Sequence, residues 1–179
     1  MLKIIKYGDR RLQEKTEPVE KLTSEGKSLI KEMIEIMYSS KGVGLAANQV
    51  GVLKRIIVID IDYVKKENSK KNIRVFINPE IIWESEKDAL LTEGCLSFPG
   101  IEIEIYRPEK IKMKFRNNKF EEKVIEVTGL LARVIQHEID HLNGIVFVDR
   151  IPFIKRKLIA GKLNRLKRQT ISELSEITV

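Results

Sequence analysis

The chain has 179 residues, of which 42% are hydrophobic and 33% charged, and a formal net charge of +7, as expected for one soluble globular domain with a sizeable core. No apolar stretch approaches membrane-spanning length and no secretory signal opens the sequence, so we expect no membrane association. The single cysteine excludes an internal disulfide and fits a reducing compartment, which predicts a cytoplasmic protein. For the oligomeric state, a monomer is the default expectation.

The first third of the sequence predicts one helix and then a glycine-rich loop. Residues 1–22 look irregular, and residues 23–40 carry an apolar stripe at helical spacing. The stretch GVGLAANQVG, residues 42–51, loosely matches the Gly-x-Gly-x-x-Ala pattern of dinucleotide-binding loops. Such loops follow a strand and open a helix, and because the order here is the reverse, we reject that function. The glycines and the polar pair Asn48 and Gln49 instead favour a loop whose backbone approaches a ligand closely.

Runs of β-branched and alternating apolar residues in the middle of the chain predict strands. Residues 53–61 and 73–82 form the first two, separated by a polar loop at 62–72 that we expect to be mobile. Further strands are predicted at 101–105, 111–115 and 120–127. No linker or repeat divides the sequence, so we predict a single α+β domain over residues 1–179, with antiparallel and mixed strands packed around a central buried helix.

That central helix carries the motif H-E-x-x-H. Thr128 fits its N-cap and Gly144 its C-terminal stop, and the apolar residues between them occupy more than one face, which indicates burial. His137 and His141 would lie one turn apart on the same face, where they can hold one metal ion with Glu138 beside it as a base. The alternative is a surface helix with solvated side chains, which the apolar flanks disfavour.

A catalytic metal site of this kind needs a third protein ligand and an open position for water. The sequence has Phe147 where the metzincin pattern requires a third histidine. Glu173 and Glu176 are candidates of the gluzincin type, in a tail that we expect to be frayed. Cys95 is the remaining soft donor, and a metal-bound thiolate suits a reducing compartment. The alternative for Cys95 is a buried thiol that serves only packing.

A basic segment follows the motif. Residues 150–169 contain eight Lys or Arg and no acidic residue, whereas the rest of the chain is nearly balanced. Pro152 fits the first turn of a helix, so we predict a basic C-terminal helix over residues 153–169. Such a run of charge is either a solvated face or a contact with nucleic-acid phosphate.

Three motifs, GVGLAANQ, EGCLS and QHEIDHLNG, occur in the order and at the approximate spacing found in peptide deformylases, and the sequence resembles that family nearly throughout. The resemblance implies a metal-dependent hydrolase that removes the formyl group from the N-terminal formylmethionine of nascent polypeptides and releases formate. Members of the family hold one divalent metal ion, usually Fe²⁺ in the cell, and tolerate Zn²⁺, Ni²⁺ or Co²⁺.

The resemblance also implies roles for individual residues. The metal ligands would be Cys95, His137 and His141. Glu138 would act as general base and then as general acid, while Gln49 and the backbone N–H of Leu96 would stabilise an oxyanion. Asp140 is expected to have a structural role and to pair with Arg107, which occupies the matching place in the family.

On the substrate side, the family pairs the peptide with backbone groups of Val43 and Gly44, as an added strand. The methionine pocket would be lined by Val43, Leu91, Leu130 and Val134. Arg133 departs from the family's pattern, which often has an apolar residue at this position. Because the family's C-terminal helix docks on the ribosome, we expect the basic helix at 153–169 to do the same.

Two other functions stay open from the residues alone. An endopeptidase would take its third metal ligand from Glu173 rather than from Cys95. An RNA-binding module would hold a structural metal with four protein ligands, of which the sequence supplies three. Metal binding that depends on Cys95 separates the deformylase from the endopeptidase.

Overall fold

The structure is a computed structural model that describes residues 2–63 and 71–177. Its helices are α1 (Ser24–Ser39), α2 (Gly129–Leu142), α3 (Phe153–Leu158) and α4 (Ala160–Ile177). Its strands are β1 (Gly44–Ala46), β2 (Ile56–Ile59), β3 (Arg74–Glu84), β4 (Asp88–Gly94), β5 (Glu102–Pro108), β6 (Lys110–Arg116) and β7 (Glu122–Thr128). Short 3₁₀ turns lie at Arg10–Gln13, Ala47–Val50 and Phe147–Asp149.

The strands form two antiparallel sheets. β1, β2, β3, β6 and β7 lie side by side in that order, and β4 pairs with β5 in a separate sheet. The α+β class is therefore confirmed, but the expected mixed pairing is wrong for both sheets. Within the described residues, the parallel contact is an isolated bridge between Glu17 and Lys54.

The predicted strands agree with β2, β3, β5, β6 and β7 to within a few residues. Strand β4 is missing from the sequence prediction because Leu90 and Leu91 break the period-2 alternation that marks a half-buried strand. The glycine-rich loop is more ordered than expected, since Gly44–Ala46 pairs with β2 and the next residues form a 3₁₀ turn. Of the loop predicted to be mobile, residues 64–70 lie outside the described residues.

Helix α2 lies inside the molecule. Every residue from Ala132 to Leu142 is buried, and its apolar side chains pack against the face of the larger sheet, on Ile57, Phe76 and Met113 among others. Thr128 precedes the helix as expected, although its hydroxyl donates to the Glu109 carbonyl oxygen instead of capping the first turn. A helix that is apolar on several faces is stable only when neighbours cover it, and here α2 contacts strands of both sheets.

The helix end is fixed by Gly144, which has a left-handed φ of 74°. A Cβ atom at this position would lie 2.5 Å from the carbonyl oxygen of Gln13, so both the backbone angle and the space require glycine. Helix α1 agrees with the predicted range, and the Thr23 side chain accepts a hydrogen bond from the Gly26 N–H at its start. Its buried side chains Met33 and Met37 pack on the other face of the larger sheet.

The C-terminal region differs from the single helix predicted over 153–169. Helix α3 ends at Leu158, Ile159 interrupts the helix, and α4 continues to Ile177, so Glu173 and Glu176 lie in a helix rather than in a frayed tail. Pro152 is the N-cap of α3 rather than its first residue. In the part of the chain that the structure describes, no helix is long and apolar enough to cross a membrane.

Candidate metal centre

Three donor side chains converge where the chain after β4 meets α2. Cys95 directly follows β4, and His137 and His141 project from the same face of α2, one turn apart. Their donor atoms all lie within 4.8 Å of one another, and Cys95 Sγ is 3.2 Å from His141 Nε2. The two alternative ligands Glu173 and Glu176 are exposed and are not part of this cluster. Of the three candidates for the third ligand, Cys95 is therefore the one that lies beside the histidines.

Glu93 orients one of the histidines. Nδ1 of His137 donates to Glu93 Oε2 at 2.9 Å, which leaves Nε2 of the ring to face the other donors. Arg107 forms two hydrogen bonds with the same carboxylate, at 2.6 and 2.9 Å, and Arg133 forms another at 2.8 Å. Burial alone would raise the pKa of Glu93, but the hydrogen bonds from His137 and Arg107 hold the pKa well below its usual range.

The expected pair of Asp140 and Arg107 is present, with Arg107 Nη1 2.6 Å from Asp140 Oδ2. Arg150 also donates to both oxygens of Asp140. Arg133 is 5% exposed, and besides Glu93 it donates to the Ile105 and Ala89 carbonyl oxygens. These hydrogen bonds explain how an arginine is buried where the family often has an apolar residue, because acceptors on β4 and β5 replace water around its guanidinium.

Glu138 is a buried carboxyl group with an unused oxygen. It is 4% exposed, and Oε2 has no hydrogen-bond partner among residues 2–63 and 71–177. Burial raises the pKa of Glu138 to about 7. Gly44 lies against it, since a Cβ atom there would come within 2.5 Å of Glu138 Oε1. A buried carboxyl group of this kind is suited to exchange a proton near neutral pH.

Gln49 and Leu96 present N–H groups beside the cysteine. The Gln49 side-chain oxygen accepts from the Ala46 N–H at 2.8 Å, which turns its Nε2 towards Ser97 Oγ and Cys95 Sγ, at 3.3 and 3.5 Å. The Leu96 backbone N–H has no acceptor within the described residues. Both groups predicted as oxyanion donors thus lie close to the thiol, Gln49 from the 3₁₀ turn Ala47–Val50 and Leu96 as the residue after Cys95.

A cavity of about 940 Å³ opens onto this cluster. Its lining includes the predicted substrate-binding residues Val43, Gly44, Leu130 and Val134, together with Gln49 and Glu138. Leu91 is not among the lining residues, and its side chain is 42% exposed on β4. The cavity therefore has an apolar wall next to the polar cluster, a combination that is typical of binding sites for small molecules and peptides.

The donor set fits a divalent transition-metal ion. A thiolate and two neutral imidazoles are ligands of Zn²⁺ and Fe²⁺, and three protein ligands leave a fourth position for water or substrate. Glu138, whose Oε2 has no partner among the described residues, also lines this cavity, so a water molecule or substrate group is available to pair with it there. A structural site, by contrast, would be closed by a fourth protein ligand, and no further donor joins the cluster among the described residues.

Glu93 is the residue that sequence reasoning missed. It stands two positions before Cys95 in the motif EGCLS, but neither the motif nor its spacing predicts a role for it. The signal that was available is chemical: a histidine that ligates a metal nearly always donates its second N–H to a carboxylate or carbonyl. An acidic residue beside a ligand in the sequence was therefore a candidate for that partner.

An α+β fold with a sulfur-and-imidazole centre and a buried glutamate, at the end of a partly apolar cavity, defines a metallohydrolase. Residues 1–157 match the polypeptide deformylase family, and the chain belongs to that family. Peptide deformylases are metalloenzymes, and this chain is one of the enzymes that remove the formyl group from the N-terminus of nascent polypeptides.

Individual relatives agree with this assignment. The chain is 40% identical over 174 residues to the peptide deformylase of Brachyspira hyodysenteriae, covering 97% of this chain and 93% of the relative. Among solved structures, it is similar to peptide deformylase from Plasmodium falciparum, with a TM-score of 0.88, 39% identity and coverage of 95% and 98% of the two chains. The enzyme from Legionella pneumophila matches with a TM-score of 0.83, 40% identity and coverage of 96% and 98%.

Proposed function

We propose that Cys95, His137 and His141 bind one divalent cation and that Glu138 moves the proton in deformylation of formylmethionyl peptides. The observation that carries this proposal is the convergence of the three donor atoms within 4.8 Å, beside a buried carboxyl group. By analogy with the family the ion in the cell is Fe²⁺, and Zn²⁺, Ni²⁺ or Co²⁺ would also fit the donor set. When bound, the cation supplies Lewis-acid chemistry, lowering the pKa of a water molecule and polarising the formyl carbonyl.

Residues of the chain would transfer the proton and stabilise the developing negative charge. Glu138 accepts the proton of the attacking water and delivers it to the departing amine, acting first as base and then as acid. The Gln49 side-chain amide and the Leu96 backbone N–H donate to the formyl oxygen as negative charge develops on it. The water oxygen becomes bonded to the formyl carbon, the carbon–nitrogen bond breaks, and formate and a free amino terminus result.

The apolar side of the cavity supports a proposal for substrate binding. Backbone groups of Val43 and Gly44 would pair with the extended peptide, because they lie at the edge of the larger sheet and line the cavity. The methionine side chain would contact Leu130 and Val134, with Leu91 at the outer rim. We infer further that the single domain over residues 1–179 acts as a monomer in the cytoplasm.

An anaerobic assay of formate release from formyl-Met-Ala-Ser, with metal analysis of the same sample, tests the residue roles. Glu138→Gln is expected to lower kcat by about 10²–10⁴, as loss of a general base does, with metal content unchanged. Cys95→Ala is expected to lose the metal itself. Glu104→Gln, an exposed change on β5, serves as the control. Wild-type turnover in Glu138→Gln would remove Glu138 from the mechanism.

The basic surface of α3 and α4 supports a contact with the ribosome. Lys155 and Lys157 are exposed, and Arg156 is half-buried beside Asp149. A surface that meets RNA phosphates releases counterions, so binding should weaken steeply with salt. Reversing the charge of Lys155 and Lys157 is expected to abolish ribosome co-sedimentation at physiological salt while formate release persists. Binding that ignores both salt and the reversal contradicts the proposal.

A further inference from the structure

The substrate cavity is lined by lysines from three separate parts of the chain. Lys6 comes from the N-terminal segment, Lys41 directly follows α1, and Lys162 lies on α4. Through Lys162, the basic segment at 150–169 reaches the substrate cavity itself. The positive charge of Lys162 therefore acts on the same cavity as the candidate metal centre.

The acidic residues of the cavity do not offset this charge at its mouth. The carboxylate of Glu93 is fully engaged by His137, Arg107 and Arg133 inside the protein. Glu138 is buried at the closed end. Glu102 is the exposed acid of the lining, which also contains three lysines, so the exposed charge of the lining remains positive.

Two of the lysines are available to a ligand. Lys6 is committed to the protein, because its ammonium donates to the Leu96 carbonyl oxygen at 2.8 Å. Lys41 and Lys162 are exposed, and neither ammonium has an acceptor among the residues that the structure describes. Lys41 also has a left-handed φ of 56°, a conformation that costs energy for a residue other than glycine.

The direction in which the peptide lies in the cavity decides which of its residues contact these lysines. The formyl end must reach Glu138, which is buried, whereas Lys41 and Lys162 are exposed, so the residues after the methionine extend towards the side of the cavity where these lysines lie. We infer, on the basis of the proposed function, that formyl peptides with acidic side chains shortly after the methionine are the preferred substrates, through Lys41 and Lys162. The lysines act on the association and binding of the peptide, so the preference should appear in kcat/KM rather than in kcat.

A matched set of amidated peptides tests this inference: formyl-Met-Ala-Glu-Glu, formyl-Met-Ala-Ser-Ser and formyl-Met-Ala-Lys-Lys. At low salt, kcat/KM is expected to be about three- to tenfold higher for the Glu peptide than for the Lys peptide, the range expected for one or two exposed ion pairs. The Ser peptide should lie between them. The difference should shrink as ionic strength rises, because these charges are solvent-exposed.

Charge reversal locates the effect. Lys41→Glu with Lys162→Glu is expected to abolish or invert the ratio of kcat/KM between the Glu and Lys peptides. Lys119→Glu makes the same kind of charge change on an exposed residue outside the cavity lining and should leave the ratio unchanged. Equal kcat/KM for the three peptides in the wild type, or a ratio insensitive to salt, overturns the inference. Absence of formate from every peptide would instead contradict the proposed function.

Discussion

Nδ1 of His137 donates to the carboxylate of Glu93 at 2.9 Å, and both side chains are buried. Two arginines, Arg107 and Arg133, hold the same carboxylate. Glu93 thus fixes the ring orientation of a proposed metal ligand while it compensates two buried positive charges. Removing its charge is expected to affect both metal binding and folding, and the two effects are separable by experiment.

Glu93→Gln is expected to weaken metal binding by about 10–100-fold, the usual effect of losing such a partner. It should also lower the free energy of unfolding by about 3–5 kcal/mol, because buried Arg133 loses its carboxylate partner and Arg107 keeps only Asp140. Titration with a competing chelator measures the first effect, and urea unfolding of the metal-free protein measures the second. The control is Glu104→Gln, which lies on the exposed face of β5. Unchanged metal affinity in Glu93→Gln would show that His137 does not depend on this hydrogen bond.

At the candidate metal centre, local spacing could be predicted from the sequence, whereas long-range contacts could not. The spacing of His137 and His141 is a local property of a helix, so the motif predicts their arrangement directly. The placement of Cys95 beside them is a long-range contact between the loop after β4 and α2. The residues alone left Cys95 as one of several candidate ligands, and the resemblance to a family selected it. Glu93 escaped prediction because its partners Arg107 and Arg133 come from two other elements, and no local pattern joins them.

The elements of the fold likewise separate into those that the sequence predicts and those that it does not. Helices and strands with regular apolar spacing, such as α1 and β6, are predictable because the signal is periodic. Strand β4 lacks that signal, since most of its residues are exposed and its pairing with β5 decides its conformation. The interruption at Ile159 lies within an apolar stripe that continues from α3 to α4, so apolar spacing alone gives no sign of it. The stripe consists of Leu158, Ile159, Leu163 and Leu166.

Gly44→Ala is expected to lower kcat/KM by about 10²-fold, because the new Cβ atom would lie 2.5 Å from Glu138 Oε1 and 2.8 Å from Val134 Cγ1. A displacement of about 1 Å at a reacting group has an effect of that size. Steady-state kinetics on formyl-Met-Ala-Ser with metal-loaded protein measure the change.

The matched control is Gly161→Ala on α4, where a Cβ atom has no neighbour within 4 Å. This change should leave kinetics unaltered and raise the free energy of unfolding by about 0.5–1 kcal/mol through helix propensity. If Gly44→Ala behaved like Gly161→Ala, the close approach of the loop to Glu138 would have no catalytic consequence.

Lys6→Met tests whether the N-terminal segment positions the oxyanion donors. This segment joins both donor loops: the Ile5 N–H donates to the Gln49 carbonyl oxygen at 2.9 Å, and Lys6 Nζ donates to the Leu96 carbonyl oxygen at 2.8 Å. Loss of the ammonium should lower kcat by about tenfold, part of the ~10²–10³ that removal of an oxyanion donor costs. KM and metal content should change little.

Lys6→Arg, which keeps a charged donor, should recover much of the lost kcat. Recovery by Arg separates the specific hydrogen bond from general loosening of the segment. An equal loss of kcat in Lys6→Met and Lys6→Arg, or a loss confined to KM, would show that the contact with Leu96 does not position a donor.

Asp60 provides a prediction about pH and stability away from the metal centre. It is fully buried at the end of β2 and accepts hydrogen bonds from the Tyr38 hydroxyl, at 2.7 Å, and from the N–H groups of Asp62, Tyr63 and Asn72. Burial alone would raise the pKa of Asp60, but these hydrogen bonds hold it below its ordinary value of 3.8. The ionised form is therefore stabilised more in the folded than in the unfolded protein.

Because the folded-state pKa is the lower one, the contribution of Asp60 is complete above pH about 4 and is lost as the pH falls through the folded-state value. Asp60→Asn should lower the free energy of unfolding by about 1.5–3 kcal/mol at pH 7, the range for hydrogen bonds to a charged group. The difference from wild type should be smaller in urea unfolding at pH 3. Asp88→Asn, an exposed change at the start of β4, should have little effect at either pH. A difference for Asp60→Asn that is the same at pH 7 and pH 3 would mean that the charge of Asp60 contributes nothing, and that the four donors need only an oxygen atom at that position.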